Sequence, residues 1–343
     1  MELEALMQES IEHLQKDFYS KKFYFSYSSL NKLLWNPAVF YQMYVLGMKE
    51  ERVDSHLVQG KVIHALLLDE ERFNDNFVIC PNNLPTGNLR TVADRVFAHY
   101  KELKRSGDTR EEIDEFKDAI LDVMKDMNYH QNLKTDQQRL DKVLTQDVFV
   151  YWYFLRSKGD KTLIDEETYK FCKDAVELIK TNEQIVNLLG LNVTEFDNRE
   201  VFHELYMEMD IAGRPFGLKG FIDNVVIDHD QKTIFINDVK TTSKDLKDFS
   251  ESVDYYNYWL QAVVYTSMIL KSYQHLIENE GYSYKFHFVV IDKAFQTYAF
   301  PVTEATLNTW FDKFKESLEI ADWHYTHRSY ELPYTFAKGL VAL

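Results

Sequence analysis

Gly217–Lys240, GLKGFIDNVVIDHDQKTIFINDVK, decides how this chain is read. Apolar residues dominate from Phe216 to Ile227, interrupted by Asp223, and a second apolar run covers Thr233–Ile236. Between them, Asp228-His229-Asp230-Gln231-Lys232 is turn chemistry, so the stretch reads as two strands joined by a polar turn. The second strand ends in Asn237-Asp238-Val239-Lys240, where alternation puts Asp238 and Lys240 on one face and Val239 on the other. An acid and a lysine projecting together, beside a strand bearing Asp223, make a compact site for a metal ion and a water. Taken alone, a D-x-K is an ordinary strand-end ion pair by roughly ten to one, because short motifs match often by chance. By that reading Asp228 and Asp230 are solvated turn acids.

Downstream, Thr241-Thr242-Ser243 leads into a helix over Tyr256–Ile277, with Gln261 and Tyr265 four apart on one face. Tyr284–Asp292 and Gln296–Pro301 read as a strand pair, Thr303–Ala321 as a helix capped by Thr303, and Trp323–Leu343 as an irregular aromatic tail. Upstream, His203–Met209 alternates as a strand carrying Glu204. The N-terminal part offers a helix over 2–17 (Leu3, Leu6, Met7, Ile11, Leu14) and, after the candidate N-cap serines of Ser26-Tyr27-Ser28-Ser29, a helix broken at Asn36-Pro37. A helix over 55–70 follows, with Gly60 and His64 on one face, and then a short strand, Phe77–Ile79. From 91 to 189 the pattern is helical and charged with no convincing strand. The order implies an α/β (α+β) fold with a mixed central sheet flanked by helices. We read 1–343 as one domain with its core at about 24–80 and 196–322, a large helical insertion at 91–195, and a tail at 323–343.

Composition sets the limits. The 343 residues are 45% hydrophobic and 15% aromatic, which is a folded globular composition. A net charge of −16 argues against an electrostatic DNA coat, since phosphate affinity comes mainly from Lys and Arg. An enzyme with a local basic groove remains compatible. Cys80 and Cys172 are too few and too far apart for a zinc or iron–sulfur set. There is no signal-like segment and no apolar run of spanning length, so a soluble, cytoplasmic protein without a membrane partner is expected.

Phosphodiester hydrolysis needs a nucleophilic water, charge neutralisation and help for the leaving oxygen. Carboxylate-held divalent cations supply these. Asp223 and Asp238 are candidate ligands, with the Val239 backbone carbonyl and Glu204 as further ones, and Lys240 can stabilise developing negative charge. His64 is a candidate imidazole ligand or a buried helix histidine. The Gln261/Tyr265 face either packs or meets solvent. Strand-end polar residues seldom carry core stability, so Asp238→Ala and Lys240→Ala are expected to stay folded.

Gly60-x-x-x-His64, Gly220-Phe221-Ile222-Asp223, Asp238-Val239-Lys240 and Gln261-x-x-x-Tyr265, in this order, resemble the PD-(D/E)XK nuclease superfamily. The branch they resemble is the RecB-like and phage exonuclease group with the exonuclease VIII (RecE)-type domain. Ser26-x-Ser28, Asn36-Pro37-x-x-Phe40-Tyr41 and Thr241-Thr242 add to the likeness, which spans roughly 24–80 and 200–301. It implies a restriction-endonuclease-like fold, Mg²⁺ or Mn²⁺ on His64, Asp223 and Asp238, a catalytic Lys240, and Gln261 and Tyr265 beside the site and the DNA. Two features depart from the pattern: Ile222 stands where many members have proline, and the iron–sulfur cysteines of some relatives are missing. With no G-x-x-x-x-G-K-[ST] in the chain, any unwinding falls to a partner. The resemblance implies an exodeoxyribonuclease in a bacterial or phage-infected cell, resecting linear duplex DNA in phage-type recombination or repair for a single-strand annealing protein. A homo-oligomer enclosing its DNA, as in toroidal relatives, fits the acidic exterior. The alternatives are an endonuclease of the same superfamily and a non-catalytic interaction protein that kept the fold.

Overall fold

The computed structural model describes residues 2–48, 55–82 and 84–341, apart from the side chains of 2–9, 55–57 and 72; those of Leu3, Leu6 and Met7 therefore lie outside the described residues. Two compact units emerge. One comprises Met1–Asp54, Leu67–Asp69 and Ala175–Leu343, the other Ser55–Leu66 and Glu70–Asp174. Among the described residues the strands are β1 (Tyr24–Phe25), β2 (Phe77–Cys80), β3 (Thr162–Asp165), β4 (Arg199–Asp210), β5 (Gly217–Asp228), β6 (Thr233–Thr241), β7 (Ser283–Ile291) and β8 (Thr297–Val302).

The first unit is built on a mixed sheet in the order β1-β5-β6-β7-β8, with β4 also paired to β5. β4–β5, β5–β6 and β7–β8 are antiparallel, while β1–β5 and β6–β7 are parallel. The β6–β7 crossover is a helical segment, as a parallel connection requires. The mixed sheet with flanking helices is the expected fold class. Phe25, Leu30, Leu33, Phe40, Phe216 and Ile222 belong to its core, together with the apolar face of the helix Tyr258–Ser272.

Local chemistry explains the N-terminal elements. Ser26 caps the helix Tyr27–Trp35 through a capping box with Ser29, and Asn36 ends that helix and caps the next turn, which opens with Pro37. In the second unit a separate core gathers around Trp152, whose indole N–H donates to the Glu111 carbonyl at 2.8 Å.

Several expectations need correction. β3 lies in the block expected to hold no strand; it pairs in parallel with β2, a partner distant in sequence that no local periodicity reveals. In place of one helix over Tyr256–Ile277 there are two, Tyr258–Ser272 and Gln274–Glu280, preceded by a separate helix, Phe249–Tyr255. Asn257, in left-handed conformation at φ 57°, makes the first break. The final long helix runs Glu304–His327, so Trp323–His327 is not irregular tail. Asp228 is buried rather than solvated, because its carboxylate accepts from the Gln231 amide N–H at 2.7 Å and from its side-chain amide at 3.1 Å, closing the β5–β6 turn.

Candidate metal and catalytic site

The β5–β6 ladder runs from Asp228↔Thr233 to Asn224↔Asn237 and then stops. Beyond it β5 continues on β4 and β6 continues on β7, so the two strands part as a fork. Asp223 and Asp238 are the first residues past the last rung. The Asn rung holds the fork closed on the other face. The Asn237 amide donates to the Asn224 side-chain oxygen at 2.7 Å and to the Leu188 carbonyl at 3.1 Å, and the Asn224 amide donates to the Leu189 carbonyl at 2.9 Å. Those carbonyls end the helix Glu183–Leu189 and need donors in a dry place.

The opposite strand bends at the same place. The β4–β5 register passes from His203↔Asn224 to Leu205↔Ile222 without a Glu204↔Asp223 rung. Glu204 has φ +48°, a conformation that costs an L-residue of its size and persists only when its surroundings enforce it. The alternation inverts there. Leu218 and Ile222 face the core on one side of the break, and Val225 and Ile227 on the other. The inversion puts Asp223 on the core-facing side together with Gly220, and the Glu204 and Asp223 carboxylates approach within 4.8 Å.

Within the fork the side chains are buried and mutually held. Asp223 Oδ2 accepts from the Val239 backbone N–H at 2.8 Å, spanning the gap between strands. Lys240 pairs with Asp238, which is 0% exposed, while the lysine side chain is 14% exposed. Burial pushes the Lys240 ammonium down, but the carboxylates of Asp238 and Asp223 outweigh it and hold the group above its ordinary value. Its ammonium also sits 5.0 Å from the Tyr258 ring centroid, a cation–π contact. Asp238 and Lys240 thus share a face as strand alternation requires, and Val239 is buried.

Gln261 and Tyr265 join this group from the helix Tyr258–Ser272. The Gln261 amide donates to the Tyr265 hydroxyl at 3.0 Å. Burial first, then the charges of Asp223 and Asp238, push the Tyr265 phenol well above its ordinary range. The helix can come this close because residue 220 is glycine: a Cβ there would stand 2.9 Å from Tyr265 Cε1 and 3.2 Å from Met268 Cε. His64 is half-buried on the helix Ser55–Leu68, in the part that belongs to the second unit.

Three participants went unread in the sequence: Tyr258, the Asn224–Asn237 rung, and the contact that needs Gly220. Asp223-Asn224 and Asn237-Asp238 are mirror images about the turn, and that symmetry was a readable sign that the two acids fall opposite each other.

A family model matches residues 24–330, and its description is the PD-(D/E)XK nuclease superfamily. The chain belongs to the PD-(D/E)XK nuclease superfamily. The match runs through the second unit and, at its C-terminal end, past the resembling segment that closes at 301. A search of curated proteins finds no match. Among solved structures, a protein of Eubacterium rectale described as a candidate exonuclease is similar over 95% of this chain and 85% of its own, at 13% identity and a TM-score of 0.42. No helix among the described residues is long and apolar enough to cross a membrane.

Members of this nuclease superfamily use divalent cations, and the fork's donor set fits one. Two carboxylates within 4.8 Å of each other, with a third acid buried alongside, are hard oxygen ligands whose mutual repulsion a small divalent cation relieves. Gln261 Oε1 is buried without a hydrogen-bond partner, one further oxygen in the same neighbourhood.

Proposed function

We propose that this chain is a Mg²⁺- or Mn²⁺-dependent deoxyribonuclease of the RecE-type branch, acting as an exonuclease on linear duplex DNA in phage-type recombination or repair. The observation that carries the reading is the convergence of Asp223, Asp238 and Lys240 in the β5–β6 fork. The exonuclease assignment is supported by the branch the motifs resemble.

Asp223 and Asp238 hold the cation, with Glu204 as a further carboxylate and the Val239 carbonyl as a backbone ligand. His64 joins them on the strength of the family's G-x-x-x-H pattern. The bound cation supplies Lewis acidity at the phosphate and a more acidic water. The protein's own part is electrostatic. Lys240, kept protonated by its acids, offers a positive charge where negative charge develops on the phosphate, in a site already dry enough to make that charge count. Gln261 fixes the Tyr265 hydroxyl by its hydrogen bond, and the pair forms the helix wall beside the scissile strand. The setting we propose is the cytoplasm of a bacterial or phage-infected cell, with an annealing protein downstream and a ring-like homo-oligomer around the DNA.

The test is degradation of 5′- and 3′-labelled linear duplex beside a covalently closed circle, with Mg²⁺, with Mn²⁺ and with EDTA. Loss of label from linear duplex alone, abolished by EDTA and by Asp238→Asn, is expected. Cutting of the circle makes the chain an endonuclease, and full activity in Asp238→Asn and Lys240→Met removes the assigned site. His64→Asn is expected to weaken metal affinity, read as a rise in the cation concentration at half-maximal activity.

A further inference from the structure

Outward from the catalytic lysine runs a short ladder of tyrosines that the reaction does not use. Lys240 lies over the Tyr258 ring at 5.0 Å, Tyr258 stacks on Tyr256 at 5.4 Å and 26°, and Tyr256 meets Tyr255 edge-on at 4.9 Å. Exposure rises along it to 50% at Tyr256 and 79% at Tyr255. On its inner side Tyr258 is fixed by Phe249 and Phe288.

The outer rings sit on a braced backbone. The Tyr256 carbonyl accepts from the Tyr27 hydroxyl at 2.5 Å and from the Asn31 amide at 3.2 Å. Asn257, which turns the chain between the two helices, donates to Asn31 Oδ1 at 2.8 Å and accepts from the Trp259 indole N–H at 2.8 Å. Four hydrogen bonds therefore hold a Tyr-Tyr step in place while leaving its rings to solvent. Large apolar faces held open beside a buried site are groups awaiting a flat partner.

We propose that Tyr255 and Tyr256 form a stacking platform for the unpaired bases of the DNA strand being fed to Lys240. The inference rests on the nuclease reading and specifies which part of the substrate this surface takes. Charge favours bases over phosphates: Lys240 is paired with Asp238, Lys244 is paired with Glu251 at 2.9 Å, and the chain carries −16 overall. Stacking needs no cation and tolerates any sequence, because every base has a π-face. In a duplex those faces are covered by neighbouring pairs, so the platform selects a frayed or single-stranded end.

The experiment is binding in EDTA, where no cleavage occurs, of a single-stranded oligonucleotide and of the same strand with abasic sites, to the full chain. Placing 2-aminopurine in the strand reports stacking by its quenching. The wild-type chain is expected to bind the base-bearing strand roughly tenfold or more tightly than the abasic one. Tyr255→Phe/Tyr256→Phe keeps that preference and the quenching. Tyr255→Leu/Tyr256→Leu loses both, with affinity for the abasic strand unchanged. Equal affinity of the wild-type chain for the two strands, or no binding of the base-bearing strand, overturns the proposal without any variant. A preference that survives in the leucine variant overturns it too. If base-dependent binding holds but Mg²⁺ and Mn²⁺ produce no degradation, the nuclease reading fails and the platform stands; degradation without the preference is the reverse.

Discussion

Replacing Lys240 by methionine keeps a long apolar stem against Tyr258 and removes one positive charge from a place that water scarcely reaches. Asp238, at 0% exposure, is then left with no cation beside it, with Asp223 one strand away. At about 4 Å and an effective dielectric near 20, one such pair is worth about 4 kcal/mol. The lysine's own desolvation offsets part of that, whereas an orphaned buried partner typically costs about 3–5 kcal/mol. We therefore expect Lys240→Met to lower unfolding free energy by about 3 kcal/mol in EDTA. The expectation that variants here stay folded rested on a solvated strand end; the burial of the fork adds a stability cost to it.

Urea unfolding of the wild type, Lys240→Met, Asp238→Asn and the double variant measures it. Removing the acid as well relieves the orphaned charge, so the double variant is expected to recover most of the loss, with a coupling of about 2 kcal/mol. On the proposed function Mg²⁺ binds the folded chain, and with the ammonium gone it meets less competition, so the gap between wild type and Lys240→Met should narrow at millimolar Mg²⁺. A Lys240→Met chain within about 0.5 kcal/mol of wild type in EDTA, the range of an ordinary surface change, refutes the buried pair and the electrostatic role built on it.

Gly220→Ala pushes a methyl to 2.9 Å from a buried tyrosine ring, so a loss of about 1–3 kcal/mol is expected, with activity falling as Tyr265 shifts; thermal unfolding and turnover check it. At Glu204 the left-handed backbone favours glycine, so Glu204→Gly should be more stable than Glu204→Ala by about 1 kcal/mol while both lose the carboxylate's contribution to metal affinity. Equal stabilities in denaturant would dismiss the strain. Burial, and to a lesser degree Lys285, lowers the His287 imidazole from 6.5 to about 4, and its Nδ1 is buried without a partner. Between those values the unfolded chain takes a proton that the folded one refuses, so stability falls as pH drops from about 6.5 to about 4 and levels off below. The full difference is about 3 kcal/mol, measured as the pH dependence that wild type shows and His287→Phe lacks.

How much of this was legible in the sequence follows from the range of each interaction. The hairpin and its acids were legible because turn chemistry at Asp228–Lys232 fixes the register locally, and a fixed register sets Asp223 opposite Asp238. A serine cap within 26–29 and the Asn36-Pro37 break were legible for the same reason, each being decided within four residues, though which serine caps was not. What stayed hidden needed a second element. Period-two reading placed Asp223 as an oddity because the strand's faces exchange at that residue, and the cause is the Glu204 backbone on β4, nineteen positions away. The burial of Asp238 depends on where β7 and the Gln261 helix lie, which no strand-end pattern states. The same dependence separates an ion pair from a reactive site. Asp-x-Lys on a wet strand end is the commoner case, and only the fork's dryness, supplied by elements from across the first unit, makes its charges interact strongly. The inversion at Glu204–Asp223 is therefore where fold and chemistry meet: it sets Asp223 on the same side as Gly220, where the Gln261 helix closes over both acids.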